Sequence, residues 1–199
     1  MTTLTASDIA QQEKASGKAW GMLAVTYFAS ICAPLCQFKI PPLASWIFPA
    51  FHGALDSVTF GTLMSAIALI GVVLAFPAAF IARRMGLKNV ILLSVACLGI
   101  GSAIGGIEAN LPLLLASRLL EGIGIGLIGV AAPSCVTIWF PERKRGLALG
   151  LWATWVPVGS VLAFNIVPMI AGACGYQTVF FALGAVCLVA FVLFAAVYK

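Results

Sequence analysis

Charge is scarce in this chain. Only 9% of the 199 residues are charged, six of them are acidic, and there is a single histidine. A soluble domain would be about one-quarter charged, so a water-bathed globule is excluded. With one histidine, His52, a histidine-rich metal centre is excluded as well. Cys32 and Cys36 share a helix face, but no second cysteine pair or histidine accompanies them. The six cysteines therefore read as small buried hydrophobes, and no cofactor or metal is expected. Alternation of apolar and polar residues is also missing, which argues against a membrane β-barrel. No low-complexity tract or soluble domain interrupts the chain. The start, MTTLTASDIAQQEKASGKAW, lacks the short basic stretch and apolar core of a secretory signal. Residues 1–18 read as a cytoplasmic leader.

What is abundant is apolar surface. Hydrophobic residues make up 62% of the chain, and the mean hydropathy is +1.12. They come in six blocks, near 19–38, 58–82, 89–107, 111–140, 147–171 and 177–198. Each is long enough to cross ~30 Å of hydrocarbon at about 1.5 Å per residue. Continuous apolar blocks of this length predict helices, because lipid leaves no water to satisfy an open backbone.

The net charge of +5 suggests nucleic acid only until the cations are placed. They fall between blocks. Lys14, Lys18, Arg83, Arg84, Lys88, Arg143, Lys144, Arg145 and Lys199 share one side of a six-span arrangement, and only Lys39 falls on the other. Positive residues stay inside, so both termini are predicted to be cytoplasmic, in what reads as a bacterial inner membrane. The partners implied are lipid and a small solute, with no nucleic acid. The one long outer loop, KIPPLASWIFPAFHGALD, is expected to hold no regular helix because of its prolines. Asp56 is placed as the N-cap of the second span, and His52 as a solvated loop residue.

One block departs from plain hydrophobicity. ASRLLEGIGIGLIGVAAP, residues 116–133, carries Arg118 and Glu121 on a fourth span that begins at Leu111. At helical rise Arg118 lies roughly 10 Å, and Glu121 roughly 15 Å, from the outer face. A charge at that depth costs ~2.5–3.5 kcal/mol on insertion scales. Both side chains must then face protein or a watery cavity, and their i, i+3 spacing lets them pair. Two readings stay open: an ion pair that locks helix packing, or a site for substrate or proton coupling. The glycines that follow, Gly122, Gly124, Gly126 and Gly129, bare a face for close helix approach. Gly101 and Gly105 repeat the pattern in the third span, Gly150 and Gly159 in the fifth.

These residues resemble the major facilitator superfamily. Arg118-x-x-Glu121-Gly122-x-Gly124 is similar to its fourth-helix motif. Ala79-Phe-Ile-Ala-Arg-Arg-Met-Gly-Leu-Lys88 is similar to its loop signature G-x-L-A-D-R-x-G-R-K, with Arg84, Gly86 and Lys88 matching. Ala79 replaces a glycine, and Arg83 replaces the aspartate that belongs to a latch between the halves. Gly150 and Gly159 fit the opening spacing of the antiporter motif, but its later Gly-Pro is replaced by Ala163 and Phe164. Among subgroups the texture is most similar to cyanate- and nitrate-type anion porters, although the second span lacks the arginine of the nitrate group.

The resemblance implies an all-α membrane fold: one six-helix half of a major facilitator, built from inverted three-helix repeats. It implies a secondary carrier working by alternating access, with a second six-helix half as partner. The solute implied is small, organic or inorganic, with anions among the candidates. The alternative is a non-transporting structural or regulatory module. For substrate or coupling the residues singled out are Arg118, Glu121, Thr26, Tyr27, Ser30 and Trp155, with Trp152, Gln37 and Asn165 behind them. No sequence repeat between the two triplets of helices is discernible.

Overall fold

The computed structural model describes residues 17–51, 53, 55–107 and 110–198. The leader up to Ser16, Lys14 within it, His52 and Lys199 lie outside the described residues. Eight α-helices follow in order: α1 Gly17–Phe38, α2 Ala44–Ala50, α3 Ser57–Met85, α4 Leu87–Gly105, α5 Leu111–Trp139, α6 Glu142–Ala153, α7 Trp155–Cys174 and α8 Tyr176–Val197. Among the described residues six stretches are long and apolar enough to cross a membrane, with α6 and α7 together forming the fifth. Six passes bring the start of α1 and the finish of α8 to one end, which also carries the Arg83–Lys88 and Arg143–Arg145 clusters. We call it the basic end, and the opposite one the loop end.

Capping follows local chemistry. Asp56 has extended backbone and its carboxylate accepts from the Thr59 amide at 2.7 Å, so it caps α3 as the sequence predicts. Asn110 does the same for α5 through the Leu113 amide at 3.4 Å. At the basic end the guanidinium of Arg145 caps the last carbonyls of α5, donating to Thr137 O at 3.1 Å and Phe140 O at 3.0 Å.

The helices pair in a crossed pattern. α3, the second span, packs on α5; α7, in the fifth, packs on α1. α4 packs on α5 while α8 packs on α1, and α4 and α8 pack on each other. Mapping spans one, two and three onto four, five and six leaves every one of these pairings in place. Three passes turn the second triplet over, so the repeat is necessarily inverted. The joints agree. Gly86 between α3 and α4 has φ 81° and ψ 150°, and Gly175 between α7 and α8 has φ 83° and ψ 158°. Each closes its helix by donating to the carbonyl four residues back, Ala82 at 3.0 Å and Ala171 at 2.9 Å. That backbone region is open almost only to glycine.

Glycine faces bring α5 against two neighbours at once. A Cβ on Gly126 would sit 2.7 Å from Gly71 O of α3, and one on Gly122 2.9 Å from Ile67 O. Gly124 points the other way, where a Cβ would lie 2.7 Å from Ser94 O of α4. Ser94 uses the approach to donate to Gly124 O at 2.7 Å. Gly129 and Gly150, expected to extend these faces, meet nothing within 4 Å. Gly159 packs on Pro34 of α1.

Two sequence expectations need correction. The outer loop is folded, with a 3-10 turn at Pro41–Leu43 running into α2. Pro41 and Pro42 stand at the start of the 3-10 turn, where a proline loses no bond that the turn would have made, and Pro49 falls near the end of the short α2. Leu43, Ile47, Phe51 and Leu55 recur every fourth residue and are buried against Leu63, Leu114, Val179 and Phe180. The segment is a lid pressed on the loop end. Lys39 is the second correction. It belongs to no solvent-facing loop and is completely buried.

Candidate functional site

The first assembly of interest is the environment of that lysine. Lys39 follows the last residue of α1, and its Nζ turns inward to Glu121 Oε1 at 2.7 Å. It also donates to Ser102 Oγ at 2.7 Å, whose own proton goes to Phe180 O at 2.7 Å. Arg118 Nη2 pairs with the other Glu121 oxygen, Oε2, and Arg118 Nη1 donates to Cys36 O at 3.0 Å. The ring of Phe180 lies 4.3 Å from Lys39 Nζ, a cation–π distance. Arg118, Glu121, Lys39 and Ser102 are all fully buried. Four spans contribute: Cys36 and Lys39 at the end of α1, Ser102 from α4, Arg118 and Glu121 from α5, Phe180 from α8.

Two cations share one carboxylate, so the cluster carries a formal charge of +1. Arg118 Nε finds no acceptor among the described residues. Leaving such a group unpaired inside a protein is costly, which marks the cluster as more than filler. The i, i+3 pairing expected of Arg118 and Glu121 is present. Lys39 was missed because a lysine beside two prolines at the end of a span reads as a loop cation. No local signal pointed it inward: Arg118 and Glu121 already neutralise each other and call for no further cation.

The second assembly lies nearer the basic end, where α1 meets a break in the fifth span. Pro157 has no N–H to offer the carbonyl of Ala153, and the helix is interrupted there at Thr154. Thr154 repairs part of the loss, donating through Oγ1 to Leu151 O at 2.7 Å. Tyr27 Oη meets Thr154 Oγ1 at 2.7 Å. Beside them Trp152 Nε1 donates to Ser30 Oγ at 3.0 Å, and Ser30 donates to Thr26 O at 2.8 Å. Trp152 and Trp155 stack at 5.4 Å and 25°. Thr26 and Ser30 are buried, whereas Tyr27 and Trp155 are half-buried and Thr154 is exposed. A groove of about 300 Å³ opens along Trp20, Leu23, Ala24, Tyr27, Leu151 and Thr154.

The sequence-selected residues thus separate into two groups. Thr26, Tyr27, Ser30 and Trp155, joined by Trp152, meet on the α1/α6–α7 face. Arg118 and Glu121 belong to the sealed cluster and line no open groove in this conformation. Gln37 edges a different groove, of about 380 Å³, between α3 and α5 with Gly71 and Gly126. Asn165 is exposed and turns back on its own helix, to Val161 O at 2.7 Å. At the basic end Arg84 lies over Phe80 at 4.5 Å. Among the described residues no carboxylate pairs with Arg83, Arg84 or Lys88.

A six-span helical bundle of two crossed, inverted triplets, with charges sealed among its helices, defines a multi-pass membrane protein of transporter architecture. Residues 26–199 match the Major Facilitator Superfamily, and the chain belongs to that family. It is 28% identical over 120 residues to the probable sulfoacetate transporter of Cupriavidus necator, covering 60% of this chain and 28% of that protein. It is 34% identical over 144 residues to the 3-(3-hydroxy-phenyl)propionate transporter of Escherichia coli, covering 68% of this chain and 34% of that one. A myo-inositol transporter of Cryptococcus neoformans, transporter 3A, is 33% identical over 103 residues, with 52% and 18% covered. The chain thus spans about a third or less of the relatives it matches.

Proposed function

We propose that this chain is the first half of a secondary carrier that moves a small organic anion by alternating access. It acts with a second six-helix half, supplied by further chain or by another copy. Family membership supports membrane transport of a solute. The anion is our own reading. It rests on the formal +1 charge of the Lys39–Glu121–Arg118 cluster, whose field in a low-dielectric bundle favours a negative solute. Two of the relatives above are named for anionic solutes, and one for a neutral polyol.

The observation that carries the reading is the broken fifth span against α1. A helix interrupted inside the hydrophobic region is tolerated where it lines a cavity. Here the interruption presents the Tyr27 and Thr154 hydroxyls with the Trp155 ring, a surface able to stack and hydrogen-bond a small solute. Trp152, Ser30 and Thr26 hold that surface in place from behind. Arg118 and Glu121 act from within the bundle, as the charged core that fixes how α1 sits on α5 and α8. Glycine contacts between α5 and its neighbours, and at Gly159, are the surfaces on which helices shift.

With Lys39 withdrawn into the core, no lysine or arginine is left in the connections at the loop end. Under the positive-inside rule this supports a cytoplasmic basic end, with both termini on that side. The test is reconstitution in proteoliposomes with labelled sulfoacetate, 3-(3-hydroxyphenyl)propionate and myo-inositol. Saturable uptake of an anion with counterflow, from the chain alone or once a second half is added, supports the carrier. Uptake of myo-inositol alone removes the anion, and silence in both preparations removes the carrier.

A further inference from the structure

We propose that Lys39 is the proton-carrying group of this bundle, releasing its proton toward the loop end and taking it back during the transport cycle. The idea rests on the carrier reading above, whose preference for an anion draws on the same charged cluster.

The first support is the charge count. Lys39, Arg118 and Glu121 are all fully buried and sum to +1. Protonating Glu121 would raise the sum to +2 with nothing to offset it. Removing a proton from Lys39 leaves an Arg118–Glu121 pair of zero net charge, and a buried neutral pair is far easier to hold than a buried excess.

The second support is the hydrogen-bond inventory. An ammonium has three N–H donors, and among the described residues Lys39 has two oxygen acceptors, Glu121 Oε1 and Ser102 Oγ, each at 2.7 Å. The face of Phe180, at 4.3 Å, is what remains for the third. A neutral amine has two N–H groups and matches the two oxygens one for one. Ser102 cannot reverse its role, because its proton is committed to Phe180 O. Loss of the proton therefore breaks no hydrogen bond to oxygen. In the step itself one Nζ–H bond breaks, its electron pair stays on nitrogen, and the proton passes to water on the loop-end side.

Other groups facing Lys39 do not take its place. Arg118 stays charged throughout. Cys36 on α1 and Cys187 on α8 lie nearby, with their sulfurs 4.0 Å apart. Each is buried among apolar neighbours, where a thiolate would be unfavourable. One residue, Ile40, separates Lys39 from the Pro41–Leu43 turn, and the lid built on Leu43, Ile47, Phe51 and Leu55 covers the bundle there. Lifting that lid and the end of α1 exposes Nζ to the loop-end solution.

The experiment is a pH titration of the purified chain in nanodiscs, following the side-chain nitrogens of 15N-labelled lysine by NMR. Lys39→Met identifies the signal, and Lys39→Arg does so independently should the methionine variant fold poorly. We expect one lysine signal, absent from both variants, to pass from ammonium to amine below the ordinary lysine value of about 10.4. A Lys39 signal that stays ammonium up to that value overturns the proposal. Flux measurements separate the two readings. Proton-driven anion uptake by the wild type with an unshifted Lys39 signal removes the lysine and keeps the carrier. An early-titrating Lys39 without uptake in any preparation keeps the lysine and removes the carrier.

Discussion

Lys39 and Glu121 lie 82 positions apart in sequence and 2.7 Å apart in the fold, both without solvent contact. Each is buried in the other's presence, but their situations differ. Among the described residues Glu121 is the only carboxylate in the cluster and serves two cations, whereas Arg118 suffices to neutralise it. Deleting either partner is therefore unequal. Glu121→Gln strands two buried cations and is expected to cost about 3–5 kcal/mol. Lys39→Met leaves a balanced pair and keeps a long apolar stem in the same space, so it should cost much less. Thermal unfolding in detergent reads both. The double variant Lys39→Met/Glu121→Gln should recover part of the loss, because one stranded cation has gone. Equal losses for the two single variants would show that the cluster is not organised around the carboxylate.

Gly126 offers a test of packing that does not involve charge. A Cβ there would stand 2.7 Å from the Gly71 carbonyl, which is backbone and cannot swing aside. Gly126→Val should force α3 and α5 apart, costing about 1–3 kcal/mol in the manner of an overpacked core. Gly150→Ala meets open space and serves as the control, with little expected change in melting temperature or a small gain from helix propensity. If both behave alike, close approach of α5 is not what holds the bundle.

How much of this was written in the sequence differs by element. The six spans and the Asp56 cap were legible because each depends on a local rule: block length for the spans, and a short polar acceptor before an apolar run for the cap. The lid was also written there. Leu43, Ile47, Phe51 and Leu55 keep a four-residue period, but Pro41, Pro42 and Pro49 drew attention to helix breaking instead. The meeting of Tyr27 with Thr154 was half visible. The polar middle of α1 could be seen, yet the break that exposes Thr154 comes from Pro157, three residues further on. Lys39 could not be placed from local pattern at all. Its burial depends on Glu121 and Ser102, contributed by two other spans, and no rule of period or capping reports a partner 82 residues away. The internal repeat was hidden for a similar reason. Its trace is a backbone conformation shared by Gly86 and Gly175 and a crossed pairing of helices, neither of which needs the side chains to match.

Tyr27→Phe removes one hydroxyl from the proposed solute face and leaves the ring. Its partner Thr154 Oγ1 still donates to Leu151 O, so no buried donor is stranded and the fold should hold. If a solute uses that hydroxyl, KM for uptake should rise by about tenfold with unchanged melting temperature, as expected for a lost hydrogen bond of about 1–1.5 kcal/mol. Trp155→Ala should weaken uptake further by removing the stacking surface. Unchanged KM in both variants would move the solute off this face.

Asp56 supplies a pH-dependent test outside the spans. Hydrogen bonds from the Thr59 side chain and then from its amide hold the carboxyl below the ordinary carboxylate value. A depressed folded value means that the capping contribution is complete above the unfolded value of about 3.9 and fades as pH falls through the folded one. Hydrogen exchange at the Thr59 amide should therefore quicken on acidification beyond the intrinsic change in rate. Asp56→Asn keeps an acceptor and should abolish this acid dependence while preserving protection at neutral pH. Loss of protection in the asparagine variant at neutral pH would mean that charge, rather than the cap, does the work.

The last prediction concerns the two glycine joints. Gly86 turns the chain at the basic end and Gly175 at the loop end, in corresponding places of the two triplets. Both occupy a region that side-chain-bearing residues avoid, with φ of 81° and 83°. Neither would clash, since a Cβ at each meets nothing within 4 Å. The cost of Gly86→Ala or Gly175→Ala is thus backbone strain alone, of order 1–3 kcal/mol each. If the triplets are structural repeats, the two losses should be similar, and with the joints at opposite ends they should add in the double variant. Size is excluded as the cause by the open space, so Gly86→Ser should match Gly86→Ala. A substantial loss at one joint with none at the other would mean that only one triplet depends on its turn, and the symmetry of the pairing would then lack a counterpart in energy.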